Sequence, residues 1–135
     1  MPLLLDTGPV YALADRDDAW HERVRDFLVL SRQPLVVPVS VLPEAAYLIR
    51  TRLGEAAERL FAESLAAGEI SVEELTRADL RRTAELMRTY PFLGFVDASV
   101  VAIAERLKLD AVVTTDRRDF RRVKPRHVKA FRLLP

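Results

Sequence analysis

Apolar positions along the chain follow two periods. Leu3–Leu5, Leu35–Val37, Ile70–Val72, Val112–Thr115 and Val128–Leu133 are short runs rich in aliphatic and β-branched residues, with the length and composition of strands. Runs without polar alternation suit strands of a parallel sheet covered on both faces. Between them, apolar residues recur at i, i+3, i+4 and i+7, which predicts helices with one buried face. One such helix, after Asp18, turns Trp20, Val24, Phe27 and Leu28 inward. A second, after Ser40, carries Val41, Leu42, Ala45, Ala46, Leu48 and Ile49. A third, Glu55–Ala67, buries Ala57, Leu60, Phe61 and Leu65, and a fourth, Thr76–Tyr90, buries Leu80, Ala84 and Met87. In the last, Val96, Val100, Val101, Ile103, Ala104 and Leu107 form the stripe. Asp18, Ser40 and Thr76 are the expected N-caps, since short polar side chains accept from first-turn amides. Gly8–Pro9 is expected to turn the chain after the first strand, leaving Val10–Ala14 as a short helical turn. Strands alternate with helices throughout, which predicts an α/β fold with a mostly parallel central sheet of about five strands. A length of 135 residues points to a single domain, 1–135.

Four acids stand at corresponding places in this pattern. Asp6 ends the first strand, Glu44 lies in the first turn after the second, Asp97 opens the last long helix, and Asp116 ends the strand that follows it. Each has an ordinary explanation as a turn, cap or helix-dipole residue. Together they would meet at the carboxyl edge of one sheet, where open α/β folds bind ligands. Without a cation such a cluster would repel itself and take up protons. A divalent ion removes the conflict and eases deprotonation of water, which makes phosphodiester hydrolysis the natural chemistry.

Composition narrows the ion. There is no cysteine, and His21 and His127 are far apart. Thiolate sites, disulfides, cysteine nucleophiles and a histidine zinc site are therefore not expected, and His21 is assigned a structural or surface role. Oxygen ligands suit magnesium or manganese. No run of eighteen apolar residues, signal peptide or lipidation motif is present, so no membrane association and a cytoplasmic location are expected. The net charge of +1 conceals an asymmetry: residues 116–135 hold eight basic and two acidic residues, leaving thirteen and eighteen in residues 1–115. The basic stretch is either a phosphate-binding flank to an acidic pocket or a solvated surface.

The motifs L-L-L-D-T-G, V-V-P-V-S-V-L-P-E-A, G-F-V-D-A-S-V-V-A-I-A and V-V-T-T-D-R-R-D-F, in this order and spacing, resemble those of PIN domains, and specifically of VapC-type toxin ribonucleases. The likeness runs over essentially the whole chain. It implies a three-layer α/β/α fold and a metal site formed by Asp6, Glu44, Asp97 and Asp116. Thr7 or Thr114 would be the nearby hydroxyl, and Asp119 a second acid able to assist Asp116. The resemblance further implies magnesium- or manganese-dependent cleavage of single-stranded RNA or exposed RNA loops, with one or two ions. It also implies a homodimer, and inhibition by a small VapB-like antitoxin in a heterotetramer or larger assembly. Arg117, Arg118 and Arg121 are candidates to hold RNA phosphates, contributing salt-dependent affinity rather than sequence choice.

Other classes fit less of the chain. L-D-T-G also occurs in aspartic proteases, but that fold is nearly all β. A phosphate-accepting signalling domain would place an acid beside Asp6 and a lysine after the last strand. A haloacid-dehalogenase-like phosphatase would place an aspartate where Gly8 stands. A catalytically silent PIN-like module for RNA or protein remains the plain alternative.

Overall fold

A computed structural model describes residues 1–135. In chain order the elements are β1 (Leu3–Leu5), α1 (Thr7–Ala14), α2 (His21–Ser31), β2 (Leu35–Pro38), α3 (Val41–Leu53) and α4 (Glu55–Ala66). They continue as β3 (Ser71–Glu73), α5 (Arg77–Thr89), α6 (Phe95–Leu107), β4 (Ala111–Val113), α7 (Arg118–Arg121) and β5 (Arg132–Leu134). The five strands form one fully parallel sheet in the order β3-β2-β1-β4-β5. Helices cover it in the three-layer α/β/α arrangement, with α1 packed on α2 and α3, α3 on α4, and α5 on α6.

The strand order decides where a site can form. From β1 the chain steps outward to β2 and then β3. It then crosses back to place β4 on the other side of β1. Leu4 is paired with Val36 on one side and Val112 on the other. The order of connection therefore reverses between β1 and β4, and a crevice opens beyond their carboxyl ends. Asp6 and Asp116 follow those two strands.

The core is a continuous cluster centred on β1, β4 and α6, to which α1, α2, β2, α3, α5 and α7 also contribute. Every residue from Ala98 to Glu105 is buried, so α6 is enclosed all round rather than along one stripe, between the sheet and α5. Glu105 is tolerable there because Arg82 of α5 meets it through Nε at 2.7 Å and through Nη2 at 3.1 Å. The Arg126 amide adds a third bond at 2.9 Å. Arg106 grips Asp79 at 3.0 Å in the same seam. Paired in this way, the buried charges lock the register of α5 on α6.

Several expected details differ. Gly8 and Pro9 form the first turn of α1 rather than a separate turn, since proline fits the start of a helix where its missing N–H is not needed. The buried face of α5 is Asp79, Thr83 and Leu86, with Leu80, Ala84 and Met87 outward. Arg106 and the capping box between Thr76 and Asp79 hold Asp79 inward, and that sets the rotation of the helix. No residue of α4 is fully buried, and Leu60 is solvent-exposed, because α4 packs on α3 rather than on the sheet. Asp18 accepts from the Trp20 amide at 2.8 Å, but α2 itself begins at His21. The expected strand over Val128–Leu133 is confined to Arg132–Leu134, and β4 stops at Val113, leaving Thr114 and Thr115 in the following turn. Part of the arginine-rich segment after Asp116 is helical, as α7.

Candidate active site

Beyond the crevice between β1 and β4 lies a cleft of about 350 Å³ lined by Asp6, Thr7, Gly8, Glu44, Gly94, Phe95, Val96, Asp97, Thr115 and Asp116. The four acids expected from sequence therefore share one cleft. Asp6 stands at the N-terminus of α1 with extended backbone (φ −84°, ψ 175°) and makes no side-chain cap. Asp97 lies in the first turn of α6 and Glu44 in the first turn of α3. Asp116 comes two residues after Thr114, the first residue beyond β4.

Burial differs sharply among them. Asp6 is only 5% exposed, Asp97 is half-buried, and Glu44 and Asp116 lie at the exposed rim. Asp6 Oδ2 accepts from the Thr114 hydroxyl at 3.1 Å. That hydroxyl also lies 3.0 Å from the Asp116 carbonyl oxygen and accepts from the Asp116 amide at 3.1 Å. Thr114 thus ties the turn carrying Asp116 to the carboxylate of Asp6. The other oxygen of Asp6, Oδ1, is buried without any hydrogen-bond partner, and so is the hydroxyl of Thr7.

The electrostatics follow from this geometry. Burial is the main force pushing the Asp6 carboxyl up to about 6, opposed by the nearby Thr7 backbone amide and the Thr114 hydroxyl and reinforced by Glu44 and Asp116. Asp97 rises to about 7, again mainly through burial, with further repulsion from Asp6, Glu44, Asp116 and Asp119. Asp119, in α7, is therefore close enough to act on Asp97 without lining the cleft. No three of these carboxylates converge closely enough to hold one ion as they stand.

The arginines divide. Arg117 is turned from the cleft: its Nη2 donates to the Pro135 carbonyl oxygen, and its guanidinium lies 5.9 Å from the Trp20 ring. Arg118 and Arg121 are exposed, and the Arg118 amide donates to Asp116 Oδ1 at 3.3 Å. Two contributors were not foreseen. Gly8 is one, because a Cβ there would fall 2.0 Å from Thr115 Oγ1. Its bare backbone lets α1 approach the turn that carries Asp116. Thr115, on the cleft wall, is the other; it lies within the V-V-T-T-D motif, but its contact with Gly8 is purely tertiary. Gly8→Ala is expected to destabilise the fold by about 1–3 kcal/mol through overpacking. Adding Thr115→Ala should recover part of the loss, and a double-mutant cycle of denaturant unfolding measures the recovery.

Comparison with known proteins agrees with this fold. Residues 3–125 match the PIN domain family. Ribonuclease VapC26 of Mycobacterium tuberculosis is 29% identical over 135 residues, covering 98% of this chain and the whole of the relative. The crystal structure of M. tuberculosis VapC20, described as a sarcin-ricin loop cleaving toxin, superposes with a TM-score of 0.81 at 23% identity. That match covers 94% of this chain and 98% of VapC20. DNA-bound VapBC from Salmonella typhimurium superposes with a TM-score of 0.74 at 20% identity, over 98% of this chain and 96% of that one. The match to the family extends across both strands that flank the cleft and all four of its acids, and the chain belongs to the PIN-domain family.

Proposed function

We propose that this protein is a divalent-metal-dependent endoribonuclease that cleaves single-stranded RNA or exposed RNA loops, acting as the toxin of a type II toxin–antitoxin pair. The observation that carries the reading is the cleft at the β1/β4 switch point, lined by Asp6, whose buried Oδ1 has no hydrogen-bond partner, and by three further carboxylates. An anionic oxygen with no donor is costly in a protein interior, and oxygen-only surroundings match magnesium or manganese. Asp6, Asp97 and Asp116 would hold the ion, with Glu44 at the rim and Asp119 behind. When bound, a divalent ion supplies charge neutralisation and Lewis acidity toward phosphate and attacking water. Thr114 holds Oδ2 of Asp6, and Oδ1, the oxygen without a donor, would be the one to meet the ion. Arg118 and Arg121, exposed beside Asp116, would bind flanking phosphates. Phe95, on the cleft wall and 47% exposed, offers an aromatic face for an unpaired base.

The relatives support a partner. VapBC assemblies are among the similar folds, and a small VapB-like antitoxin is the proposed inhibitor of a homodimeric toxin in the cytoplasm. Two apolar grooves beside α4, which share Phe61, offer it a surface. No helix is long and apolar enough to cross a membrane.

One observation favours a second reading. Carboxylates that do not converge on a common point would also suit a silent RNA-binding module. A panel of structured and unstructured RNAs, incubated with and without magnesium or manganese, separates the two. Metal-dependent cutting is the expected result. RNA binding by well-folded, antitoxin-free protein without any cutting would support the silent module.

A further inference from the structure

Ser40 stands at the start of α3 but does not cap it. Its backbone is already helical (φ −64°, ψ −24°), so its hydroxyl is not aimed at the first-turn amides. Its Oγ lies instead 2.6 Å from the Oγ of Ser99, which is completely buried in α6. Ser99 Oγ also lies 2.6 Å from the Val96 carbonyl oxygen. A carbonyl only accepts and a serine has one proton, so Ser99 donates to Val96 and must accept from Ser40. The result is a directed chain from the Ser40 hydroxyl, through Ser99, to the peptide group that joins Val96 to Asp97.

This chain links the two helix starts that carry acids of the cleft. Ser40 precedes Glu44 by one helical turn, and Ser99 follows Asp97 by two residues. It is the one side-chain hydrogen bond between the segment bearing Glu44 and the helix bearing Asp97. The Ser99 hydroxyl is completely buried, and a buried hydroxyl is costly unless paired. An alanine would fill the same space without that demand.

We infer that Ser40 and Ser99 are positioning residues of the acidic cleft, whose hydrogen bond sets the separation of Glu44 and Asp97 across the cation-binding cleft. This rests on the metal-dependent reading above. Groups that orient metal ligands typically change affinity by about 10–100-fold when removed.

The test is calorimetric titration of manganese into wild type, Ser40→Ala, Ser99→Ala, the double variant and Ser40→Thr, with thermal unfolding in chelator alongside. Each alanine variant is expected to weaken manganese binding by about tenfold, at the lower end of that range. The double variant should be no weaker than Ser99→Ala, because each single change already breaks the Ser40–Ser99 bond. Ser40→Thr, which keeps the hydroxyl, should bind manganese like wild type. Ser40 is only half-buried, so its truncation stays informative even if Ser99→Ala fails to fold. Unchanged manganese affinity in the alanine variants, with only a lower unfolding temperature, would overturn the assignment while leaving the nuclease reading intact. A wild type that binds no manganese would overturn both.

Discussion

Asp97→Asn is expected to lower the rate of RNA cleavage by roughly 10²–10³-fold, the scale seen when one preorganised group that stabilises developing charge is removed. The substitution keeps the shape and hydrogen-bonding capacity of the side chain but deletes its charge. Asp97 stands in the first turn of α6 and faces Asp6, Glu44, Asp116 and Asp119, so its charge is the one most entangled with the others. Asp6→Asn should lose activity to a similar degree, because the amide replaces the carboxylate that Thr114 holds in place. Neither loss should come from unfolding. Steady-state cleavage of one RNA at saturating manganese, beside circular dichroism of each variant, measures this. Activity in both variants equal to wild type would remove these carboxylates from the mechanism.

The same substitutions should stabilise the metal-free protein. In the fold, Asp6 titrates at about 6 and Asp97 at about 7, each from an ordinary value of 3.8. A raised carboxyl pKa means that the native state holds protons the unfolded chain has already released. Their favourable contribution is therefore complete below about pH 4 and is lost as pH rises through 6 to 7. For Asp6 the penalty at neutral pH is on the order of 3 kcal/mol, from a shift of about two units at 1.36 kcal/mol each. Asp79 and Glu105 are shifted the other way by Arg106 and Arg82, so their contribution appears above the ordinary carboxylate range and fades on acidification. The comparison that isolates the cleft is thus wild type against Asp6→Asn, unfolded by denaturant in chelator between pH 4 and pH 8. The variant is expected to be the more stable at pH 8, with the gap closing toward pH 4. Manganese should reverse the order, stabilising only the wild type by about 4.1 kcal/mol at a thousandfold excess over its dissociation constant. A gap independent of pH would mean that burial and crowding do not govern these carboxyls.

How much of this was legible beforehand differs from element to element. The apolar runs at Leu3–Leu5 and Leu35–Val37 announced parallel strands because residues covered on both faces leave no polar alternation. Glycine and proline misled at Gly8–Pro9, where a turn signal proved to be the first turn of a helix. On α5 the hydrophobic stripe Leu80, Ala84 and Met87 pointed to the wrong face. Periodicity weighs apolar side chains alone, and it cannot see that Arg106, twenty-seven residues away, pairs with Asp79 and makes burial of an acid acceptable. Arg117 illustrates the same limit. As a cation beside Asp116 it suggested a phosphate contact, but the chain folds Trp20 and Pro135 against it.

The candidate site divides along the same line. The sequence by itself determined which carboxylates could take part, because Asp6, Glu44, Asp97 and Asp116 each sit at a strand end or helix start that local pattern identifies. Only the tertiary structure decided that they share one cleft, because strand order is set by long-range pairing and β1 lies beside β4 across more than a hundred residues of chain. It also decided their inequality: Asp6 is buried with one oxygen held by Thr114 and the other free, while Glu44 and Asp116 remain at the rim. Burial, mutual repulsion and contacts such as Ser40 with Ser99 or Gly8 with Thr115 arise from residues brought together in space. Spacing along a chain does not encode them.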